Sequence, residues 1–243
     1  MTKPFSHSTR RDFMRNTAIA GALAAGGSRL FMPSVAQAAD YPALGTFPAG
    51  SSGNSVFVGI TVPRTGTYAV QGEDELKGYQ LAIEHINSGH PLIKAISPKT
   101  TKGVLGKEVK YGVADDEAKP NSAVQNISRF ISENKAVLMT GGTSSAVAVA
   151  LNKLAQREKV FYVVGISGSN DTTGKDCVRY SVRECTYGQT AAAALGPVLL
   201  KAFGKGKKAA YLTPDYTYGH TVQKSMSEYL NKEGGWSTVT NQV

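Results

Sequence analysis

A chain of 243 residues with 41% hydrophobic residues has length and apolar content for one or two α/β-sized domains. Its formal charge of +9 is spread over lysines that are scattered or sit in loops, as at Lys94, Lys99, Lys102, Lys205, Lys207 and Lys208. No aromatics interleave with them as in a nucleic-acid groove, so the excess reads as solvated surface and a nucleic-acid partner is excluded.

Residues 1–38 have the parts of an export signal. A basic start containing Arg10-Arg11-Asp12-Phe13-Met14 precedes a small, weakly apolar run from Ala18 to Gly27, and Ala36-Gln37-Ala38 supplies a cleavage site. The paired arginines resemble the twin-arginine signal, whose substrates are exported folded. The apolar run is far short of the ~20 residues that span a bilayer, which argues against an uncleaved anchor. Cleavage removes Lys3, Arg10, Arg11, Arg15, Arg29 and one acid, Asp12, and so lowers the formal charge from +9 to +5. Residues 39–55, rich in Pro, Gly, Ser and Ala without periodicity, read as a linker.

From Val56 onward strands and helices alternate. The β-rich run Val56 to Thr61 leads through a loop punctuated by Pro63, Gly66 and Gly72 into a helix from Gly72 to Asn87, whose Leu76, Tyr79, Ile83 and Ile86 share a face. The stretch between Gly89 and Gly103, with His90, Pro91 and several lysines, reads as a surface loop. Glu108 to Ala114 is a strand, and Pro120 opens a helix that carries Val124, Ile127, Phe130 and Ile131 inward to about Asn134. Val137 to Thr140 is a strand, Ser144 to Arg157 a helix and Val160 to Val164 a strand. After a Gly/Ser/Asp/Thr turn region, Val178 to Val182 reads as a strand and Tyr187 to Phe203 as a helix. Lys208 to Leu212 and Gly219 to Glu233 repeat the βα pattern, and the chain stops just inside a further strand. Such alternation implies a doubly wound, mostly parallel sheet with helices on both faces. Residues 56–184 would form a first lobe, and 185–243 the incomplete start of a second.

In open α/β sheets ligands bind beyond the carboxyl ends of the strands, so the loops there are the places to look. Gly141-Gly142-Thr143-Ser144-Ser145 allows close backbone approach, and Ser144 or Ser145 can cap the next helix, whose free N–H groups suit a carboxylate. A plain tight turn would read the same, and the ending of a P-loop is absent. Gly165-Ile166-Ser167-Gly168-Ser169-Asn170-Asp171 approaches a nucleophile elbow in composition without its final glycine, and His85, His90 and His220 offer no evident base. Asp115 and Asp116 are adjacent and so point apart, which favours turn and cap duty over acid/base or metal chemistry. In Pro214-Asp215-Tyr216-Thr217-Tyr218-Gly219 the tyrosines can give a small organic ligand an apolar face and a hydroxyl, or simply form a surface loop. No pattern calls for a cofactor or a metal. A disulfide between Cys177 and Cys185 is expected in an oxidising compartment; the alternatives are two buried thiols or a metal pair, for which no His or further Cys lies nearby to complete a zinc site.

Taken in order, Gly59, Pro63, Thr65-Gly66, Gly72, Gly78, Leu81-Ala82, Ile86-Asn87, Gly103 to Gly106, Asp115-Asp116, Ser144 and Tyr218-Gly219 resemble the type I periplasmic substrate-binding proteins of the leucine/isoleucine/valine-binding family, which serve ABC importers. The resemblance implies two lobes that close on a small ligand, and a closed, monomeric form that docks on a permease in the inner membrane. It also implies a site in which Ser144, Ser145, Ser167 and Ser169 hold a carboxylate. Tyr218 would cover the ligand, and Tyr68 to Gln71 would line its side-chain end. Arg64 and Gln71 depart from the family's more apolar pattern, which widens the expected ligand from branched aliphatics to an amino acid, amide or aromatic acid. The competing classes are an exported α/β hydrolase using Ser144 or Ser167, a sensory ligand-binding domain, and a truncated product that binds nothing.

Overall fold

The computed structural model of the chain describes residues 51–243, so the export signal and most of the linker lie outside the described residues. The order of elements is β1 (Ser55–Val62), α1 (Ala69–Ser88), α2 (Pro91–Ile96), β2 (Glu108–Asp115), α3 (Pro120–Asn134), β3 (Leu138–Gly141), α4 (Ser145–Glu158), β4 (Phe161–Val164), a 3₁₀ turn (Asn170–Thr173), β5 (Ser181–Arg183), α5 (Gly188–Phe203), β6 (Lys208–Leu212), α6 (Thr217–Gly234) and β7 (Ser237–Gln242). Strands β1 to β5 form one parallel sheet in the order β2-β1-β3-β4-β5, and β6 pairs with β7 in a second.

The period of two along β1 decides which helix covers which face. Ile60 and Val62 point with Val56 and Val58 toward α1, where they pack on Leu76 and Ile83 of the helix and Val109 of β2. The opposite face carries the larger core, in which Ile127 and Phe130 of α3, Val147, Leu151 and Leu154 of α4, and Met139, Tyr162 and Val164 of the sheet are buried together. Phe130 lies on two glycines that face each other across the sheet, Gly59 and Gly112. A Cβ at Gly112 would come within 2.6 Å of its ring, and one at Gly59 within 3.2 Å. The α1 side is less complete. Beyond α1 the sheet face is an apolar groove of about 560 Å³, walled by Val58, Ile60, Leu138, Val163 and the Val104-Leu105 turn.

Several boundaries depart from the sequence pattern. Helix α1 begins three residues before Gly72, at Ala69, with Tyr68 at its N-cap. The stretch from Gly89 to Gly103 is not all loop: Pro91 at the first turn and His90 Nδ1, which accepts from Leu92 N at 3.2 Å, nucleate the short helix α2. The strand expected over Val178 to Val182 is shorter and later, Ser181–Arg183, because Asp171 and Gly174 carbonyls hold 174–177 in turns.

The disulfide is also corrected. Cys177 and Cys185 are both free thiols; Cys177 is exposed, and Cys185 is half-buried with its Sγ donating to Ser167 O at 3.2 Å. The Cys185 thiol is turned inward onto the loop after β4, while Cys177 faces outward.

Candidate functional site

The strand order turns back between β1 and β3, so the loops that follow these two strands leave toward opposite faces, one into α1 and the other into α4. In open α/β sheets such a switch point is where a crevice lies, at the carboxyl edge of the sheet. Its two sides are Arg64 to Tyr68 and Gly141 to Ser145. Gly141 and Gly142 have φ of 112° and 79°, conformations that only glycine adopts freely, and they swing the chain from β3 into α4.

The loop after β1 is pinned from beside. Asp115 accepts from Arg64 N at 2.9 Å, from Thr65 Oγ1 at 2.7 Å and from Glu117 N at 2.8 Å, and these donors hold its carboxyl below the usual range. Its neighbour Asp116 is fully buried, accepting from Thr61 Oγ1 at 3.1 Å and Ala118 N at 2.8 Å. Burial lifts its pKa to about 6. The pair does turn work, as adjacent carboxylates are expected to do.

Ser144 is buried at the N-cap of α4, and its hydroxyl makes no capping bond, so the first N–H groups of the helix have no side-chain acceptor. The register Gly141↔Val164 sets the loop after β4 alongside. There Ser167 is 1% exposed and its Oγ has no hydrogen-bond partner. Ser145 and Ser169 have other duties. Ser145 Oγ accepts from Ser169 N at 3.2 Å, and Ser169 Oγ lies 2.8 Å from Thr217 Oγ1, at the start of α6. Arg183 of β5 supports the same loop by donating to Ser169 O and, at 2.7 Å, to Thr173 Oγ1, with its guanidinium over Tyr187.

The cover comes from the loop after β6. Tyr68 Oη donates to Tyr216 Oη at 3.1 Å, which links the β1 side of the crevice to the second sheet. Burial and Tyr68 push the Tyr216 phenol up, so it stays neutral. Tyr218 lies 5.9 Å from Tyr216, ring to ring, and its edge reaches over Gly168, where a Cβ would come within 3.0 Å of it. The structure therefore brings Tyr68, Ser144, Ser167 and Tyr218 to one crevice and gives Ser145 and Ser169 to its framework. Gln71 stands exposed in the first turn of α1. Neither Ser144 nor Ser167 has a histidine partner; His220 pairs with Asp215 at 3.0 Å.

Two contributors were absent from the predicted set. Tyr216, and not only Tyr218, bridges the crevice. Glu75 is 9% exposed on the inner face of α1, accepting from Thr143 Oγ1 at 2.5 Å and Tyr79 Oη at 2.6 Å. Its position one turn before Tyr79 on the apolar face was the available signal.

A parallel sheet with this order, joined to a second βα layer through a crevice at its carboxyl edge, defines the periplasmic binding proteins, and the chain belongs to that family, whose sequence pattern matches residues 55–243. Proteins named for leucine, isoleucine and valine binding are among the relatives it matches. It is 24% identical over 179 residues to an amino acid binding protein of Pseudomonas aeruginosa, covering 74% of this chain and 44% of that protein. Over 188 residues it is 24% identical to a Leu/Ile/Val-binding protein of Rhizobium johnstonii, with 77% and 47% covered. A solute binding protein of an ABC transporter from Rhodopseudomonas palustris, solved in complex with 3,4-dihydroxy benzoic acid, is 26% identical with a TM-score of 0.64, covering 78% of this chain and 47% of that one. Leucine binding protein LivK from Thermotoga maritima shares the fold, with a TM-score of 0.61 at 21% identity over 77% of this chain and 49% of that one. The chain spans just under half the length of the relatives it matches.

Proposed function

We infer that the protein is the solute receptor of an ABC importer, working in the periplasm after twin-arginine export as a monomer and delivering its ligand to a membrane permease. The ligand is a small carboxylate: an amino acid, its amide or an aromatic acid. One observation carries this reading. At the turn of the strand order, the loop that ends in the uncapped N-terminus of α4 is bonded, through Gly165 N to Gly141 O at 2.9 Å and Ser169 N to Ser145 Oγ at 3.2 Å, to the loop that carries the buried, unpartnered hydroxyl of Ser167. A helix N-terminus with spare N–H groups favours an anion, and a buried hydroxyl without a partner is a vacancy for a hydrogen bond. The carboxylate sits there on the α4 amides, Ser144 and Ser167, while Tyr68, Tyr216 and Tyr218 close over the remainder of the ligand. The relatives support the class, since one is named for leucine, isoleucine and valine and another was solved with 3,4-dihydroxy benzoic acid. Binding that favours the closed arrangement shifts the open/closed balance toward it.

Calorimetry on the chain with L-leucine, L-glutamine, benzoate and 3,4-dihydroxybenzoate tests this. Micromolar binding of at least one is expected, about −8 kcal/mol. Ser167→Ala and Ser144→Ala should each weaken it about tenfold, the worth of one hydrogen bond to a charged group. No heat with any member of the panel overturns the reading.

A further inference from the structure

Glu75 is a buried carboxylate beneath the crevice that the proposed binding step does not use. It projects from the first turns of α1, yet its partners come from two other loops. Thr143 Oγ1 donates to its Oε2 at 2.5 Å from the loop after β3, and the backbone N–H of Ile166 donates from the loop after β4. Tyr79, one turn further along α1, donates to Oε1 at 2.6 Å. The carboxylate also occupies the space that a side chain at residue 165 would need, because a Cβ at Gly165 would lie 1.7 Å from Oε1.

Thr143 and Ile166 immediately precede Ser144 and Ser167. We propose that Glu75 is a positioning residue that ties the two serine-bearing loops to α1 and so fixes the distance between the anion-binding groups before a ligand arrives. This rests on the receptor reading for its purpose, although the tie itself can be measured without a ligand. The chemistry favours a carboxylate for the task. An ionised carboxylate offers about four lone-pair positions and accepts from all three donors, whereas an amide replaces one acceptor by an NH₂ that faces another donor. All three donors are neutral, so burial is only partly offset and raises the carboxyl's affinity for a proton. Uptake of that proton turns one oxygen into a donor and loosens the tie. The other titratable groups around it are Tyr79, Tyr162, Asp116 and Cys185.

Hydrogen exchange on the unliganded protein tests the proposal, because local opening is read at each loop separately. In Glu75→Gln, peptides covering 141–146 and 164–169 should exchange about tenfold faster than in the parent, an opening cost lower by about 1.4 kcal/mol. Peptides of α3 and of α6 should be unchanged. Thr143→Val, which keeps the shape, should accelerate only 141–146. Corrected for intrinsic rates, protection of both loops in the parent should fall as pH is lowered from 8 to 5. That fall should persist in Asp116→Asn and vanish in Glu75→Gln. Equal acceleration throughout the first sheet, unchanged loops in Glu75→Gln, or a pH profile that survives the substitution each overturns the proposal. In parallel calorimetry, silence of the parent toward the whole panel sinks the receptor reading alone, while the exchange result still decides the role of Glu75.

Discussion

The two sheets are made from the same βα repeat and differ in how much of each is enclosed. Strands β1, β3 and β4 are flanked by neighbours in the sheet and backed by α3 and α4, with Ile60, Met139 and Tyr162 fully buried. In the second sheet every residue of β7 is exposed, Leu212 of β6 is 88% exposed, and the buried hydrophobic side chains of its layer are Ala192, Leu230 and Trp236. The polar crevice groups follow the same division. The enclosed sheet supplies the carboxylates Asp115, Asp116 and Glu75, each held by two or more hydrogen bonds, and the buried Ser144 and Ser167, and the open one supplies tyrosines on a loop. In the proposed receptor, orientation of the ligand therefore falls to the enclosed side, and coverage to the side with less holding it in place.

Deleting a buried core side chain on each side is the most forceful way to break this comparison. Phe130→Ala empties the space over Gly59 and Gly112 in the enclosed core, where relaxation is restricted, and is expected to lower unfolding free energy by about 3–5 kcal/mol. Leu230→Ala removes a buried side chain from a layer open on its outer face, and a loss of about 2–3 kcal/mol is expected. Urea unfolding followed by circular dichroism gives both values. Equal losses would mean that the second layer is as tightly held as the first.

The enclosed core and the open one were not equally legible in the sequence. Leu76, Tyr79, Ile83 and Ile86 announce the buried face of α1 through spacing alone, and the alternation in Val56 to Val62 fixes the faces of β1. Gly59 and Gly112 could not be read as partners, since their opposition depends on the register of β1 with β2. Within the crevice, Ser144 and Ser167 were legible because they follow strands. Glu75 and Tyr216 were not, because their importance comes from groups 68 and 148 residues away. The cysteine pair misled because closeness in sequence says nothing of where each thiol faces, Cys177 outward and Cys185 onto Ser167 O.

A buried acid sharpens the comparison through pH. Asp116 has a folded pKa of about 6 against an ordinary value of 3.8. Because the folded state holds the proton more tightly, Asp116 favours folding most at low pH, and this contribution is lost progressively as pH rises from about 4 through 6. Asp115 has the opposite sign: its lowered pKa contributes stability above the ordinary range that is lost in acid. Asp116→Asn keeps a neutral group beside Thr61 and Ala118. It should therefore raise stability at pH 8 by about 1–3 kcal/mol and leave it nearly unchanged at pH 4, as measured by urea midpoints across that range. A gain of the same size at both pH values would show that packing, and not charge, is responsible.

The smallest expected effect concerns the link between the two regions. Tyr68 and Tyr216 meet through one hydroxyl–hydroxyl bond of 3.1 Å, and both groups belong to loops. Trp236 is the single tryptophan and is anchored in the second region through its Nε1–H to Gly204 O at 2.8 Å, so its fluorescence follows that region alone. Tyr68→Phe should lower the urea midpoint of the tryptophan signal by the worth of one neutral hydrogen bond, about 1 kcal/mol, and leave the circular-dichroism transition of the first sheet in place. Tyr216→Phe should do the same. The double substitution should cost no more than either alone, because the second hydroxyl has no bond left to lose. Additive losses would mean that each tyrosine is held by its own surroundings and that the bond does not couple the regions. Separation of the two unfolding signals in the double variant would instead mark this bond as the tie that makes the open region follow the closed one.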